Sequence, residues 1–231
     1  MFITFEGIEG SGKTTQVREL RSFLENRGYR CRLTREPGGT AVGEKIRGIL
    51  LDPANRAICP HAELLLYIAD RVQHVTEVIR PALAEGRVVI CDRFADASVV
   101  YQGVARDLDA ELVVALHRLV LGELAPDITI LLDLPVETGL RRAWERIHAG
   151  PAEAAESRFE EETLDFHRRV WQGYLDLARR EFHRFVIIDA ERAPSRVTSD
   201  IIAAVAPRLE ALRHPAHSPA ERENRRTEPP Q

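Results

Sequence analysis

Four short runs of consecutive apolar residues and one alternating run are spaced along the chain, separated by stretches whose apolar residues recur every three or four positions. The short runs indicate buried strands and the longer spacing indicates amphipathic helices. We expect strands at 2–5, 29–34, 88–91, 128–134 and 185–188. Helices are expected at 14–27, 42–51, 61–85, 95–103, 109–122, 135–148, 161–180 and 194–212, and Pro81 should kink or end the third of them.

Strands that alternate with helices predict an α/β fold with a five-stranded parallel sheet and helices on both faces. Ligands of such sheets bind beyond the carboxyl ends of the strands. Four segments rich in glycine or charge follow predicted strands directly, at 7–14, 35–40, 92–93 and 189–190. We therefore expect a binding site at this edge of the sheet.

The first of these segments matches the phosphate-binding pattern G-x-x-x-x-G-K-[ST] at every fixed position, between a predicted strand and a predicted helix. Its glycines let backbone N–H groups close around phosphate oxygens at the positive end of a helix. Lys13 can contact the β- and γ-phosphates, and the Thr14 hydroxyl can ligate Mg²⁺. The candidate nucleotide-binding residues here are Gly7, Ile8, Glu9, Gly10, Ser11, Gly12, Lys13, Thr14 and Thr15.

Composition and net charge narrow the class of protein and its compartment. The chain has 231 residues, which is enough for one sizeable domain. Its net charge of −4 does not provide the positive field that favours nucleic-acid binding. Three widely spaced cysteines suit a reducing cytoplasm. No apolar run is long enough for a membrane span, and we expect no signal peptide because the first predicted strand begins at residue 2. Residues 213–231 are nearly devoid of apolar side chains, so we expect a disordered tail.

The phosphate-binding loop leaves the phosphoryl acceptor open. A GTPase is excluded because no N-K-x-D segment and no D-x-x-G after a strand are present. Asp92 and Arg93 follow the third strand, where the acid can support Mg²⁺ and the arginine can hold a second phosphate group. This pair favours a nucleotide kinase over an ATPase motor.

Further segments make the chain resemble the bacterial type of thymidylate kinase. They are Phe5–Thr15, Thr34–Thr40, Ala69–Arg71, Asp92–Phe94, Tyr101–Gly103, Arg158–Glu160 and Ile188–Ala190. They occur in the family's order over residues 2 to about 206, and Arg-Glu-Pro-Gly-Gly-Thr at 35–40 is close to diagnostic. The resemblance implies a P-loop kinase domain at 1–212, with a small lid at about 142–161, that phosphorylates dTMP to dTDP with ATP and Mg²⁺ in dTTP synthesis.

The resemblance also implies a role for single residues. Lys13, Arg93, Arg158 and Glu9 would be catalytic, and Thr14, Asp92 and Glu9 would support the metal. Arg142, Asp189 and Arg192 would join the loop in binding ATP, with adenine near the last strand. The dTMP site would comprise Glu9, Arg35, Pro37, Tyr67, Arg71, Arg93, Ser98, Tyr101 and Gln102. Arg71 and Ser98 would contact the thymine edge, Tyr67 would stack on the base, and Tyr101 would close the sugar pocket at C2′.

The lid is the least determined region. The stretch 149–160 looks like a surface loop rich in Ala, Gly and Glu, and Arg142, Arg146 and Arg158 are all candidates for a contact with the transferred phosphate. The resemblance implies a homodimer through the helices at 61–84 and 109–122. Two alternatives stay open at this point: a kinase for another nucleoside monophosphate or a deoxynucleoside, and a nucleotide-binding regulator without turnover.

Overall fold

A computed structural model describes residues 1–149 and 156–213, with side chains up to residue 210. Its five strands are β1 Phe2–Glu6, β2 Cys31–Arg35, β3 Val88–Asp92, β4 Ile128–Asp133 and β5 Phe185–Asp189. They form one parallel sheet, as the sequence predicts, and the structure gives their order as β2-β3-β1-β4-β5. Each ends within a residue or two of the expected position. The mostly apolar composition of all but β2 is typical of strands that are covered on both faces of a sheet.

The helices also fall where the apolar spacing places them, with shifted ends. They are α1 Lys13–Glu25, α2 Ala41–Leu51, α3 Pro60–His74, α4 Arg80–Ala84, α5 Ala95–Ser98, α6 Ala110–Leu121, α7 Val136–Ile147, α8 Leu164–Arg180 and α9 Pro194–Arg213. Ile3 and Phe5 of β1 belong to the large apolar cluster, whereas Phe2 packs in a smaller cluster with Val89 and Cys91. Since successive strand residues point to opposite faces, both faces of the sheet are covered. No helix within the described ranges is both long and apolar enough to cross a membrane.

Two predicted helices contain π turns that the apolar spacing does not reveal. Val75–Ile79 joins α3 to α4, and the helical path continues past Pro81 to Ala84. Of the two expected effects of Pro81, a kink or an end of the helix, the second is therefore wrong. Val99–Ala105 follows α5 and carries Tyr101 and Gln102. Such π turns are frequent at functional sites because they change which side chains share one face.

The expected surface loop at 149–160 is partly wrong. Residues 150–155 lie outside the described part of the chain, but residues 157–160 are buried. Phe159 packs edge-on against Tyr101, and the Arg158 side chain is enclosed by α2 and α3 through Leu50 and Glu63. Burial of these groups holds the segment on the domain. The expected tail also falls outside the described residues, from residue 214 onward.

Candidate active site

The carboxyl ends of three strands border one cavity of about 950 Å³. Arg35 pairs in register with Asp92, and Asp92 with Phe5, which places the ends of β2, β3 and β1 side by side. The cavity is lined by the phosphate-binding loop, the ends of β2 and β3, and helices α2, α3, α5 and α7. The segments that the sequence singles out at the first three strand ends therefore meet at one site.

Glycine is required in the loop by close packing. Gly10 and Gly12 have left-handed backbone angles, with φ of 70° and 90°. A Cβ at Gly10 would lie 2.0 Å from the carbonyl oxygen of Gly139 in α7, which no side chain can tolerate. A Cβ at Gly139 would in turn lie 2.6 Å from the Glu9 carbonyl oxygen, so the close approach of α7 to the loop depends on glycine at positions 10 and 139.

The Lys13 ammonium is folded into this loop. Its Nζ donates to the carbonyl oxygens of Gly7 and Ile8 at 3.0 and 2.8 Å, and to Ser11 Oγ at 3.2 Å. Burial and the neighbouring Arg93 lower the pKa of Lys13 to about 8. The cation thus lies where phosphate oxygens bound by the loop would meet it.

The residues present fit a magnesium ion that takes most of its ligands from phosphates and water. The Thr14 hydroxyl donates to Asp92 Oδ2 at 3.1 Å, so a hydroxyl and a carboxylate already lie together at the end of β3. The described residues contain no group of three or more His, Cys, Asp or Glu side chains arranged for a metal. Mg²⁺ in kinases needs no such cage, because one or two protein oxygens and the substrate phosphates suffice.

Glu9, the third expected metal ligand, is engaged elsewhere. Its Oε1 accepts hydrogen bonds from Arg93 Nη2 at 3.0 Å and from the Tyr101 hydroxyl at 2.5 Å. Burial by itself would raise the pKa of Glu9, but His167, Arg93 and Lys13 hold it well below its usual range. The carboxylate is therefore charged, and its contacts join it to Arg93 rather than to Thr14 or Asp92.

Arg93 projects from an unusual backbone conformation, with φ of 67°. Its Nη1 donates to the Tyr174 hydroxyl at 3.1 Å, and its guanidinium lies 4.9 Å from the centre of the Tyr101 ring. Two tyrosines and Glu9 thus fix the direction of this cation in the cavity. A left-handed arginine directly after a strand is costly and is typical of functional positions.

Tyr101 is at once a core aromatic and a site residue. Its ring packs edge-on against Phe159, Phe166 and Tyr174 and is buried, while its hydroxyl binds Glu9. It also lines the cavity. Packing in the core and lining the cavity are therefore not exclusive for this ring.

Residues of α3 and α5 also line the cavity. Arg71 is buried and donates from Nε to Glu36 Oε2 at 2.6 Å and from Nη1 to Ser98 Oγ at 3.0 Å. Tyr67 and Pro37 also line the cavity. Gln102 also lines it, but its amide donates to Glu63 Oε1 at 2.9 Å. The three residues expected to contact the base, Arg71, Ser98 and Tyr67, thus all line this cavity, whereas the Gln102 amide is turned to a buried carboxylate.

The arginines of the lid region differ in their surroundings. Arg142 and Arg146 line the cavity, where Arg142 donates to the carbonyl oxygen of Ala190 and Arg146 pairs with Glu160 at 3.2 Å. The Arg158 guanidinium instead forms a 2.5 Å ion pair with the fully buried Glu63 and donates to the Leu50 carbonyl. The structure does not bring Arg158 to the phosphate-binding loop, because a buried carboxylate requires a cation beside it.

The remaining expected residues lie at the margins. Arg35 is at the rim, half exposed and paired with Glu44. Asp189 and Arg192 pair with each other at 3.1 Å next to Ala190, and among the described residues neither lines the cavity. The contact from Arg142 to Ala190 nevertheless places this pair on the side of the cavity that faces α7.

Sequence reasoning missed several polar residues at the site. Arg47 lines the cavity and forms a bidentate pair with Glu156, yet on an amphipathic helix it looks like an ordinary surface residue. His167 is fully buried, with Nδ1 3.3 Å from Glu9 Oε2, and neither ring nitrogen has a hydrogen-bond partner among the described residues. The only available signal is that His167 occupies an apolar-face position of a predicted helix, three residues before Val170, which is too weak to identify a site residue.

Comparison with known proteins gives one consistent result. Residues 5–201 match the family model described as thymidylate kinase. A thymidylate kinase from Desulfosudis oleivorans is 60% identical over 205 residues, which are 89% of this chain and 96% of that protein. One from Trichlorobacter lovleyi is 53% identical over 90% of this chain and 98% of its own length. Among solved structures, a thymidylate kinase from Ehrlichia chaffeensis aligns with a TM-score of 0.71 and 33% identity, over 89% of this chain and 98% of that one.

Proposed function

The chain belongs to the thymidylate kinase family, and we propose how the residues of its cavity divide the phosphorylation of dTMP to dTDP between a donor side and an acceptor side. The observation that carries this assignment is the position of two cations in one cavity: Lys13 in the phosphate-binding loop and Arg93 at the end of β3. Two such cations suit a reaction that brings two phosphate-bearing substrates together.

On the donor side, ATP is the proposed phosphoryl donor. The loop amides and Lys13 would hold its phosphates, while Thr14 and Asp92 would hold Mg²⁺. When bound, Mg²⁺ neutralises charge that develops on the transferred group. Adenine would lie near Asp189 and Arg192, beyond Ala190, to which Arg142 already connects α7.

On the acceptor side, Arg93 would bind the phosphate of dTMP, with help from Arg35 at the rim. Glu9 and Tyr101 would border the sugar, since their hydrogen-bonded pair lies beside Arg93. The thymine would lie between the ring of Tyr67 and the Arg71–Ser98 pair, with Pro37 and Gln102 also lining the cavity.

Little proton transfer is needed, because the attacking oxygen of dTMP is already anionic. Catalysis would then consist of alignment of the two phosphate groups and stabilisation of charge in the transition state. Lys13 is held by the carbonyl oxygens of Gly7 and Ile8, and Arg93 is held by Tyr174 and Glu9. Arg146 and Arg142 are the proposed lid cations, and Arg158 is proposed as a residue that holds the lid on α3 through Glu63.

A homodimer is proposed from exposed apolar side chains on the two helices that the family resemblance implicates. Leu65 on α3 and Leu112 and Leu119 on α6 are exposed, the last at 80% of its surface. Apolar residues so exposed on neighbouring helices are typical of an interface. The three free cysteines suit a reducing compartment, so we propose the cytoplasm as the location.

One assay tests the function and its acceptor. ADP release is measured with dTMP, dUMP, UMP, CMP and AMP, each with ATP and Mg²⁺ and again with EDTA. The proposal expects turnover with dTMP far above that with the other acceptors and its loss with EDTA. Equal turnover with CMP or AMP, or turnover that survives EDTA, would contradict it. The comparisons do not favour the alternatives that the sequence left open.

A further inference from the structure

The guanidinium of Arg71 is held by side chains and backbone from several separate parts of the fold. Arg71 lies on α3, and its partners come from the end of β2, the end of β3, α5 and α6. The contacts are Nε to Glu36 Oε2 at 2.6 Å, Nη1 to Ser98 Oγ at 3.0 Å, Nη1 to His117 Nε2 at 2.7 Å, and Nη2 to the Phe94 carbonyl oxygen at 3.1 Å. All four are within hydrogen-bonding distance, so the guanidinium plane has a single orientation.

The contact with His117 determines the form of that imidazole. An arginine only donates hydrogen bonds, so His117 Nε2 must be the acceptor and the ring proton must lie on Nδ1. Burial and the charge of Arg71 lower the pKa of His117 to about 2, in agreement with a neutral ring. His117 is therefore a fixed acceptor rather than a second cation beside Arg71.

Counting the donors shows what remains for a ligand. A guanidinium has five N–H groups. Its four contacts with Glu36, Ser98, His117 and Phe94 use four of them and leave one N–H on Nη2 without a hydrogen bond to any residue of the described ranges. Arg71 and Ser98 line the cavity, whereas His117 contacts Arg71 but does not itself line it.

We propose that His117 is a positioning residue for base selection: it takes up one N–H of Arg71, so that Arg71 presents a single, fixed donor to the substrate base. This inference rests on the proposed contact between Arg71 and the pyrimidine. Thymine carries a carbonyl acceptor at position 4, where cytosine carries an amino group. The fixed N–H of Arg71 forms a hydrogen bond with the thymine carbonyl, but it meets another donor in the amino group of cytosine. With cytosine, both donors would be buried without an acceptor.

Two variants of similar length separate the acceptor function of His117 from its bulk. His117→Gln can place an amide oxygen near the position of Nε2, whereas His117→Met has no comparable acceptor. For each variant, kcat and KM are measured with dTMP and with dCMP, together with Tm. His61→Met, an exposed position on α3, is the control for an ordinary histidine substitution.

With His117→Met we expect a loss of about 10-fold or more in kcat/KM for dTMP, mainly through KM, and a fall of at least 10-fold in the dTMP/dCMP ratio. His117→Gln should stay within about 3-fold of wild type in both quantities. An unchanged ratio in His117→Met, or equal losses in both variants, would overturn the inference, because a packing role does not distinguish glutamine from methionine.

Arg71→Lys identifies which premise is wrong. If Arg71→Lys changes the dTMP/dCMP ratio and His117→Met does not, the inference fails while the proposed base contact stands. If neither variant changes the dTMP/dCMP ratio, the proposed base contact fails as well.

A measurement on the wild type covers the case in which His117→Met does not fold. The long-range ¹H–¹⁵N spectrum of the His117 ring, assigned by its absence in His117→Gln, should show the proton on Nδ1 at pH 7. A proton on Nε2 would overturn the inference.

Discussion

Arg158 provides the sharpest test of how the site is assembled. It was expected from the sequence to contact the transferred phosphate, but its guanidinium is buried against Glu63 at 2.5 Å. Replacing Arg158 with methionine keeps most of the aliphatic bulk and removes the charge. If Arg158 acts by holding the lid segment, the main loss should be in stability rather than in the chemical step.

The magnitude follows from the surroundings of Glu63. Removing one partner of a buried ion pair costs about 3–5 kcal/mol, because the other charge stays buried without compensation. Arg106 also donates to Glu63, at 3.2 Å, and would keep part of that compensation. We therefore expect a loss near the lower end, about 3 kcal/mol, which for a chain of this size lowers Tm by roughly 6–12 °C.

Arg146→Met is the matched control. Arg146 lines the cavity and pairs with Glu160 at 3.2 Å, with about half of its side chain exposed. Exposed pairs contribute little, so Tm should change by no more than about 2 °C, while kcat should fall by about 10-fold or more if this cation stabilises the transition state. Unfolding is followed by circular dichroism in heat and urea, and kcat is measured well below both Tm values.

A second substitution checks the mechanism of the loss. Glu63→Gln in the Arg158→Met background removes the uncompensated charge, so at least about 1 kcal/mol of unfolding free energy should be recovered. The opposite pattern would refute this reasoning: an unchanged Tm with a 100-fold loss of kcat in Arg158→Met would show that Arg158 moves to the phosphates during turnover.

Four further outcomes can be measured. Lys13→Ala should lower kcat by on the order of 10² or more with the fold retained, since the transition state loses a preorganised cation; near-normal steady-state turnover would contradict the donor side. Tyr101→Phe keeps the packed ring and removes the hydroxyl that binds Glu9, so kcat/KM for dTMP should fall about 10-fold or more with Tm within a few degrees, whereas Tyr101→Ala should also cost about 3–5 kcal/mol of unfolding free energy. The folded-state pKa of His117 is about 2, so below its usual pKa only the unfolded chain takes up a proton there. Stability should therefore fall as pH is lowered from about 6.5, by about 2 kcal/mol at pH 5, and urea titrations of His117→Gln should lack that share; an identical pH profile would count against a neutral ring. Leu119→Glu should shift the mass measured by light scattering from two chains to one, and an unchanged mass would exclude α6 as the interface.

The sequence alone determined the sheet and the phosphate-binding loop. Each strand is coded by a continuous or alternating apolar run, and such a run has few other places in a folded chain. The loop is equally local, because Gly10, Gly12, Lys13 and Thr14 are neighbours whose spacing already specifies the turn. Strand order then brings Asp92 beside Arg35 and Phe5, and the site falls at the expected edge.

Only the tertiary structure decided the partners of the charged residues. Arg158 is 95 positions from Glu63, and Arg71 is 46 positions from His117. The position of an arginine in the sequence of a helix does not show whether its side chain will be buried or will face water. Its burial depends on whether a carboxylate or imidazole from a distant part of the chain packs against it. That meeting depends on how the helices pack on the sheet. It is the packing, therefore, that separates the buried Arg158 from Arg142 and Arg146, which line the cavity.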